Sequence, residues 1–214
     1  MAYPFGDFRM SRRLGYTLVD GEARMAVEVD VARRRFTREE YYRMAEVGIL
    51  KPTDRVELIR GEIVEMSPQG YRHQAFIDNL IALLAPRLVS RARLSVQSGV
   101  ALSDDTEPEP DLKVLRFRDD VPYKERGPWG EDVLLLIEVA VTSLRYDRTT
   151  KLRLYADAGI PEYWIIDCTA EAVEVHRRPA QGTYRDVTRV TGATSTIAPQ
   201  AFPDVTLRLA EIFA

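Results

Sequence analysis

Several features that would assign the chain to a class at once are absent from its sequence. It contains a single cysteine, Cys168, which excludes a disulfide framework and a cysteine-based zinc site. No apolar run approaches the roughly 20 residues of a membrane helix. Residues 1–13 lack the continuous apolar core of a signal peptide. We therefore expect a cytoplasmic protein.

An excess of positive charge is also missing. The net charge is −3, which argues against a protein that coats nucleic acid by bulk attraction. It does not argue against an enzyme that meets nucleic acid through a local patch. Lysine is scarce, since only four of the 30 basic residues are lysines: Lys51, Lys113, Lys124 and Lys151. A lysine near a metal can lose its proton, whereas arginine keeps it, so each lysine is a candidate for chemistry.

The 214 residues suffice for one domain with a full core, or for one domain with an appendage. Residues 1–35 show no sustained period, so we assign them to an N-terminal extension or arm, and residues 36–214 to the main domain. The order of elements predicts a mixed α/β (α+β) fold. The predicted elements are a helix capped by Thr37 and Glu40 and running to about Val47, a hairpin over 56–66, a helix over 71–89, strands at 94–102, 111–117 and 133–141, a helix over 148–158 with Asp147 as its N-cap, strands at 162–166, 172–178 and 184–190, and a helical turn at 207–213.

Two acids lie against apolar runs that predict buried strands. Asp111 directly precedes Leu112, and Glu138 is the only charged residue within 133–142. A buried carboxylate is costly unless a cation, a basic side chain or hydrogen bonds compensate it. If the two strands are neighbours, both acids can bind a hard cation such as Mg²⁺ or Mn²⁺, with the carbonyl of Val139 as a further ligand. The alternative for each acid is a structural ion pair or an ordinary strand end.

Lys151 follows Glu138 by a short connection and falls in the first turn of the helix predicted over 148–158. Helical side chains lean toward the helix N-terminus, so Lys151 can point back at the carboxylates. There it could orient an attacking water or stabilise charge on a phosphate. The alternative is a solvated lysine. Three arginines near it in sequence could meet phosphates or could be solvated helix charges: Arg145, Arg148 and Arg153.

Two further residues are candidates for the same site. His73 begins the helix predicted over 71–89 and could contact phosphate or shuttle a proton; the alternative is a structural hydrogen bond. Glu57 lies mid-strand in the predicted hairpin and faces away from Val56 and Leu58; the alternative is an ordinary surface acid.

Two carboxylates, a divalent metal and a lysine are the minimal parts of a site that hydrolyses phosphodiester bonds. The sequence therefore predicts a metal-dependent nuclease. Two alternatives stay open. One is a non-catalytic nucleic-acid-binding or regulatory module that keeps the acids as relics of its fold. The other is a metal phosphoesterase that acts on small molecules.

The chain resembles the PD-(D/E)XK superfamily of restriction-endonuclease-like proteins, and within it the bacterial Uma-type family of restriction endonucleases. The resemblance rests on Glu109-Pro110-Asp111, on residues 147–167, on the hairpin over 56–68 and on His73, and it covers about residues 36–178. It implies a central mixed sheet flanked by helices. It also implies a magnesium-dependent endonuclease that acts on DNA, with Asp111 and Glu138 as metal ligands.

In one position the chain departs from the superfamily pattern. A lysine is expected two residues after the second acid, where this chain has Ala140. In the Uma-type family the lysine comes from the following helix, and Lys151 fits that relocation.

Assembly can be predicted only from the function. Cleavage of both strands of a duplex calls for two sites, and two-fold symmetry is the commonest way to supply them. We therefore expect a homodimer, with the apolar side chains of residues 1–35 as candidates for its interface. The alternative is a monomer with a frayed N-terminus.

Overall fold

The computed structural model describes the backbone of residues 12–19 and 22–29 and the whole of residues 33–118 and 122–214. The chain divides into two compact units, Met1–Arg34 and Arg35–Ala214. In the first unit, strand β1 (Arg12–Val19) pairs antiparallel with β2 (Glu22–Val29). The sequence analysis assigned no element to this stretch. The side chains of residues 1–32, including the apolar ones proposed for an interface, lie outside the described residues.

The second unit contains the strands and helices that build the site. Its strands are β3 (Val56–Ile59), β4 (Glu62–Glu65), β5 (Arg93–Val96), β6 (Leu112–Leu115), β7 (Val133–Ala140), β8 (Glu162–Asp167), β9 (Ala172–Ala180), β10 (Thr183–Thr191), β11 (Thr196–Ile197) and β12 (Leu207–Arg208). Its α-helices are α1 (Arg38–Glu46), α2 (Tyr71–Leu88), α3 (Tyr123–Arg126), α4 (Leu144–Tyr146), α5 (Leu152–Asp157) and α6 (Leu209–Ile212), with a 3₁₀ turn at Gly130–Asp132 and a π-helical turn at Asp147–Lys151.

A six-stranded mixed sheet forms the centre of this unit, in the order β10-β9-β8-β7-β6-β5. Strands β7 and β8 are parallel, and the other neighbours are antiparallel. One face of the sheet packs on α2 through a core that includes Ile77 and Ile137. The other face packs on α5 through a core that includes Tyr155 and Leu136. Strand β7 is therefore covered on both faces, as its continuous apolar sequence predicts.

Local sequence signals place the elements that lead to the site. Helix α1 begins with the predicted capping box, in which Thr37 accepts from the Glu40 amide and Glu40 accepts from the Thr37 amide. The β3–β4 hairpin turns at Arg60 and Gly61, which both have positive φ, as a type I′ turn requires. The strand predicted over 94–102 is too long, because β5 ends at Val96 and Gln97 turns into the left-handed region with φ +43°.

The helix predicted over 148–158 is wrong at its start, and Asp147 is not its N-cap. Helical structure begins at Leu144, and the Asp147 amide donates to the Ser143 carbonyl. The chain then widens into the π-turn, in which the Leu152 amide reaches the Asp147 carbonyl, before α5 continues to Asp157. Single π-turns inside helices are rare and are frequent at functional sites. No helix within residues 33–118 and 122–214 is long and apolar enough to cross a membrane.

Candidate active site

The register of β6 and β7 brings Asp111 and Glu138 side by side. Leu112 pairs with Ile137, so the residues one position further lie opposite each other on the same face of the sheet. The Asp111 amide is 3.4 Å from Glu138 Oε2, and the Val139 amide donates to Asp111 Oδ2 at 2.8 Å. Both acids are buried. The prediction that the strands of Asp111 and Glu138 are neighbours is therefore confirmed.

Lys151 reaches the same cluster from the π-turn. Its Nζ lies 3.3 Å from Glu138 Oε1 and 2.8 Å from Glu57 Oε2, and the residue is 4% exposed. Burial alone would lower the pKa of Lys151, but the charges of Glu138 and Glu57 together raise it well above its usual value. Lys151 is therefore a buried lysine paired with two acids, and the alternative of a solvated side chain is wrong.

Glu57 belongs to this cluster and is not a surface acid. It is 2% exposed and accepts from Lys151, from the Glu109 amide at 3.2 Å and from the Tyr146 hydroxyl at 3.2 Å. The sequence pattern of the hairpin left open whether the face of β3 that carries Glu57 meets water. In the structure this face packs on the site, so β3 is buried on both sides.

His73 approaches from the opposite face of the sheet and contacts Asp111. Its Nε2 lies 3.1 Å from Asp111 Oδ2, while its Nδ1 is buried without a hydrogen-bond partner. Gln69, which the sequence analysis did not single out, donates to Asp111 Oδ1 at 3.2 Å. Because these amide, ring and main-chain donors converge on one carboxylate, Asp111 is held in a fixed orientation.

Sequence reasoning gave no site role to Tyr155 or Asp147, and it named Lys113 only as one of four candidate lysines. Tyr155 donates its hydroxyl to Glu138 Oε1 at 2.6 Å. Asp147 is buried and accepts from Ser143 Oγ at 2.6 Å; burial raises its pKa to about 6, against this hydrogen bond and the charge of Lys151. Lys113 is fully buried and donates to the carbonyl and hydroxyl of Ser98. The sequence does contain a signal for Tyr155, because it lies four residues after Lys151 and therefore on the same helix face.

The cluster carries more buried acids than buried lysines. Burial raises the pKa of Glu138 to about 8, helped by the charge of Asp111 and opposed by that of Lys151. Burial lowers the pKa of Lys113 to about 8, although Glu109 acts against this. Two buried lysines, Lys113 and Lys151, lie near four buried acids. These acids are Glu57, Asp111, Glu138 and Asp147.

The donor set fits Mg²⁺, which takes one or two carboxylates and completes its shell with water and phosphate. Asp111 and Glu138 supply that number. The amide of Val139 faces Asp111, and the amide and carbonyl of a strand residue point to the same side, so its carbonyl faces this edge too. Within residues 33–118 and 122–214, no group of three or more His, Cys, Asp or Glu side chains is arranged to hold a metal.

The three arginines proposed for phosphate contact differ in their surroundings. Arg148 pairs with Glu174 and lies 3.5 Å from Asp167, so its guanidinium already contacts two acids; its contact with phosphate stays a prediction. Arg145 and Arg153 are exposed and stay candidates.

Replacing Glu138 by glutamine is expected to change how the stability of the metal-free protein depends on pH. The pKa of Glu138 rises from 4.5 to about 8 in the folded chain, so between these values the folded state binds more protons than the unfolded state. The contribution of Glu138 to stability therefore falls as pH rises through this window. Glutamine at position 138 does not titrate, so the variant does not lose this stability as pH rises. Its free energy of unfolding, relative to wild type, should rise from about pH 5 to about pH 8, by at most about 1.4 kcal/mol per pH unit.

Urea denaturation of both proteins in EDTA measures this difference. A difference that does not change with pH would contradict the raised pKa of Glu138.

Comparisons with known proteins give the family and the fold of the chain. A family model described as "Uma2: Putative restriction endonuclease" matches residues 38–210. Among solved structures, a protein described as "a putative nuclease belonging to DUF820 from Anabaena variabilis ATCC 29413" is similar with a TM-score of 0.64 and 17% identity, over 83% of this chain and 97% of that chain. At this identity the likeness shows the fold alone. A comparison with curated proteins gives no match. The fold class and the family resemblance inferred from the sequence are confirmed.

Proposed function

Because this chain belongs to the Uma2 family, we propose that it is a Mg²⁺-dependent nuclease that hydrolyses phosphodiester bonds of DNA. One observation carries the proposal. Two neighbouring strand acids, Asp111 and Glu138, lie in one buried cluster with Lys151, whose Nζ is 3.3 Å from the Glu138 carboxylate. A chain that kept only the fold would have no reason to keep these costly buried charges together.

In this mechanism, Asp111 and Glu138 would hold the cation, together with the carbonyl of Val139. When bound, the cation would supply positive charge at the phosphate and lower the pKa of a bound water. His73 and the Val139 amide keep Asp111 in orientation. Lys151 lies 3.3 Å from Glu138, where its positive charge stabilises negative charge on the phosphate or orients the attacking water.

Nuclease assays test the proposal. We expect cleavage of DNA in Mg²⁺ or Mn²⁺, no cleavage in EDTA, and none by Lys151→Ala. Lys124→Ala, which changes an exposed lysine, serves as the matched control and should keep activity. Single- and double-stranded DNA and RNA are compared in parallel. Hydrolysis of bis(p-nitrophenyl) phosphate without cleavage of any nucleic acid would favour the small-molecule phosphoesterase. Binding of nucleic acid without cleavage would favour the non-catalytic module.

A homodimer and a cytoplasmic location stay predictions from the sequence. Light scattering on the full chain and on a chain starting at Met25 tests the dimer. We expect a dimer that weakens or dissociates when residues 1–24 are removed. A monomer in both cases would remove the simplest argument for double-strand cleavage.

A further inference from the structure

The loop that follows β5 is tied to Asp111 through both main chain and side chains. Gln97 directly follows β5. Its backbone lies in the left-handed region, with φ +43°, a conformation that costs energy for a residue other than glycine. Its amide donates to the Asp111 carbonyl at 3.0 Å. Its side-chain Nε2 donates to Gln69 Oε1 at 2.5 Å, and Gln69 Nε2 donates to Asp111 Oδ1 at 3.2 Å. Two side-chain amides therefore link a strained loop residue to a candidate metal ligand.

The direction of the Gln69 amide decides what Asp111 meets. A side-chain amide has a donor end and an acceptor end. Because Gln97 donates to Oε1, the NH₂ end must face Asp111. Without Gln97, the Gln69 amide is held only at its Asp111 end. Its NH₂ group can then turn to water, and Asp111 loses a hydrogen bond that has a fixed direction.

We propose that Gln97 and Gln69 are positioning residues that fix the Asp111 carboxylate for metal binding. This inference rests on the proposed function, since Asp111 is a metal ligand only there. Groups that hydrogen-bond to a ligating carboxylate orient it, and their loss weakens metal affinity roughly tenfold or more. A purely structural role would instead appear in folding stability.

Replacing Gln97 by glycine separates the two roles. Glycine keeps the main-chain donor to Asp111 and adopts a positive φ without strain, so the metal-free melting temperature should stay the same or rise. The side-chain link is lost, so the affinity for Mn²⁺ measured by calorimetry should fall roughly tenfold. Gln69→Met removes the amide at the other end of the link and should weaken affinity to a similar extent.

The chain offers a matched control in Gln181, which is exposed and has φ +47° in the turn between β9 and β10. Gln181→Gly makes the same substitution in the same backbone conformation, away from Asp111. It should change the melting temperature as Gln97→Gly does and leave Mn²⁺ affinity at the wild-type value.

Three outcomes are decisive. A Gln97→Gly protein that binds Mn²⁺ within twofold of wild type would overturn the positioning role while leaving the proposed function intact. An equal loss of affinity in Gln181→Gly would overturn it as well, because the effect would not depend on the link to Asp111. A wild-type protein that binds no Mn²⁺ would overturn the proposed metal site, and the inference with it.

Discussion

Replacing Lys151 by methionine is expected to abolish phosphodiester hydrolysis and to lower the free energy of unfolding by about 3–5 kcal/mol. Lys151 is the cation that Glu57 and Glu138 share, and all three residues are almost fully buried. Methionine fills much of the same volume but leaves Glu57 without its counter-charge, and it removes the positive charge that lowers the pKa of Glu138. Urea denaturation measures the loss of stability, and a DNA cleavage assay in Mg²⁺ measures the loss of activity.

A second substitution separates these two effects. In the double variant Lys151→Met with Glu57→Gln, one of the uncompensated charges is gone, so a substantial part of the lost stability should return. Activity should not return, because the positive charge beside the phosphate is still missing. Lys124→Met controls for the loss of a lysine as such. Cleavage by the single or the double variant at a rate near that of wild type would exclude Lys151 from the reaction.

The parts of the site that could be predicted depend on short-range patterns. Asp111 and Glu138 each interrupt an apolar run, and neighbouring runs along the chain usually form neighbouring strands. Lys151 follows Glu138 closely, so a short connection limits where it can lie. The capping box of Thr37 and Glu40 needs only four consecutive residues. In each case the information is local, or nearly so.

The parts that were missed depend on packing between distant segments. By local rules Asp147 is a good N-cap, but its burial beside Lys151 places it inside a helical run with a π-turn. Glu57 is hidden because the site covers the second face of its strand, which a strand pattern alone does not reveal. In sequence, Gln69 follows the hairpin and Gln97 lies within the strand predicted over 94–102, and only the fold places one against the other.

The substitution Asp111→Asn is expected to remove the stabilisation that Mg²⁺ gives to the wild-type protein. At a concentration of about 100 times Kd, a ligand stabilises the folded state by about 2.7 kcal/mol. For a domain of this size, this corresponds to a rise in melting temperature of roughly 5–10 °C. Asparagine has one oxygen in place of two and no charge, so the variant should show little or no such rise.

Without metal, the same variant should melt close to wild type. Loss of the negative charge beside Glu138 relieves a repulsion that helps raise the pKa of Glu138. This gain offsets the weaker hydrogen bonds that asparagine accepts from His73 and Gln69. Asp186→Asn, which changes an exposed acid on β10, should keep the full metal-induced rise. Thermal melts of the three proteins, with Mg²⁺ and with EDTA, decide the matter, since an unchanged rise in Asp111→Asn would mean that Asp111 does not bind the metal.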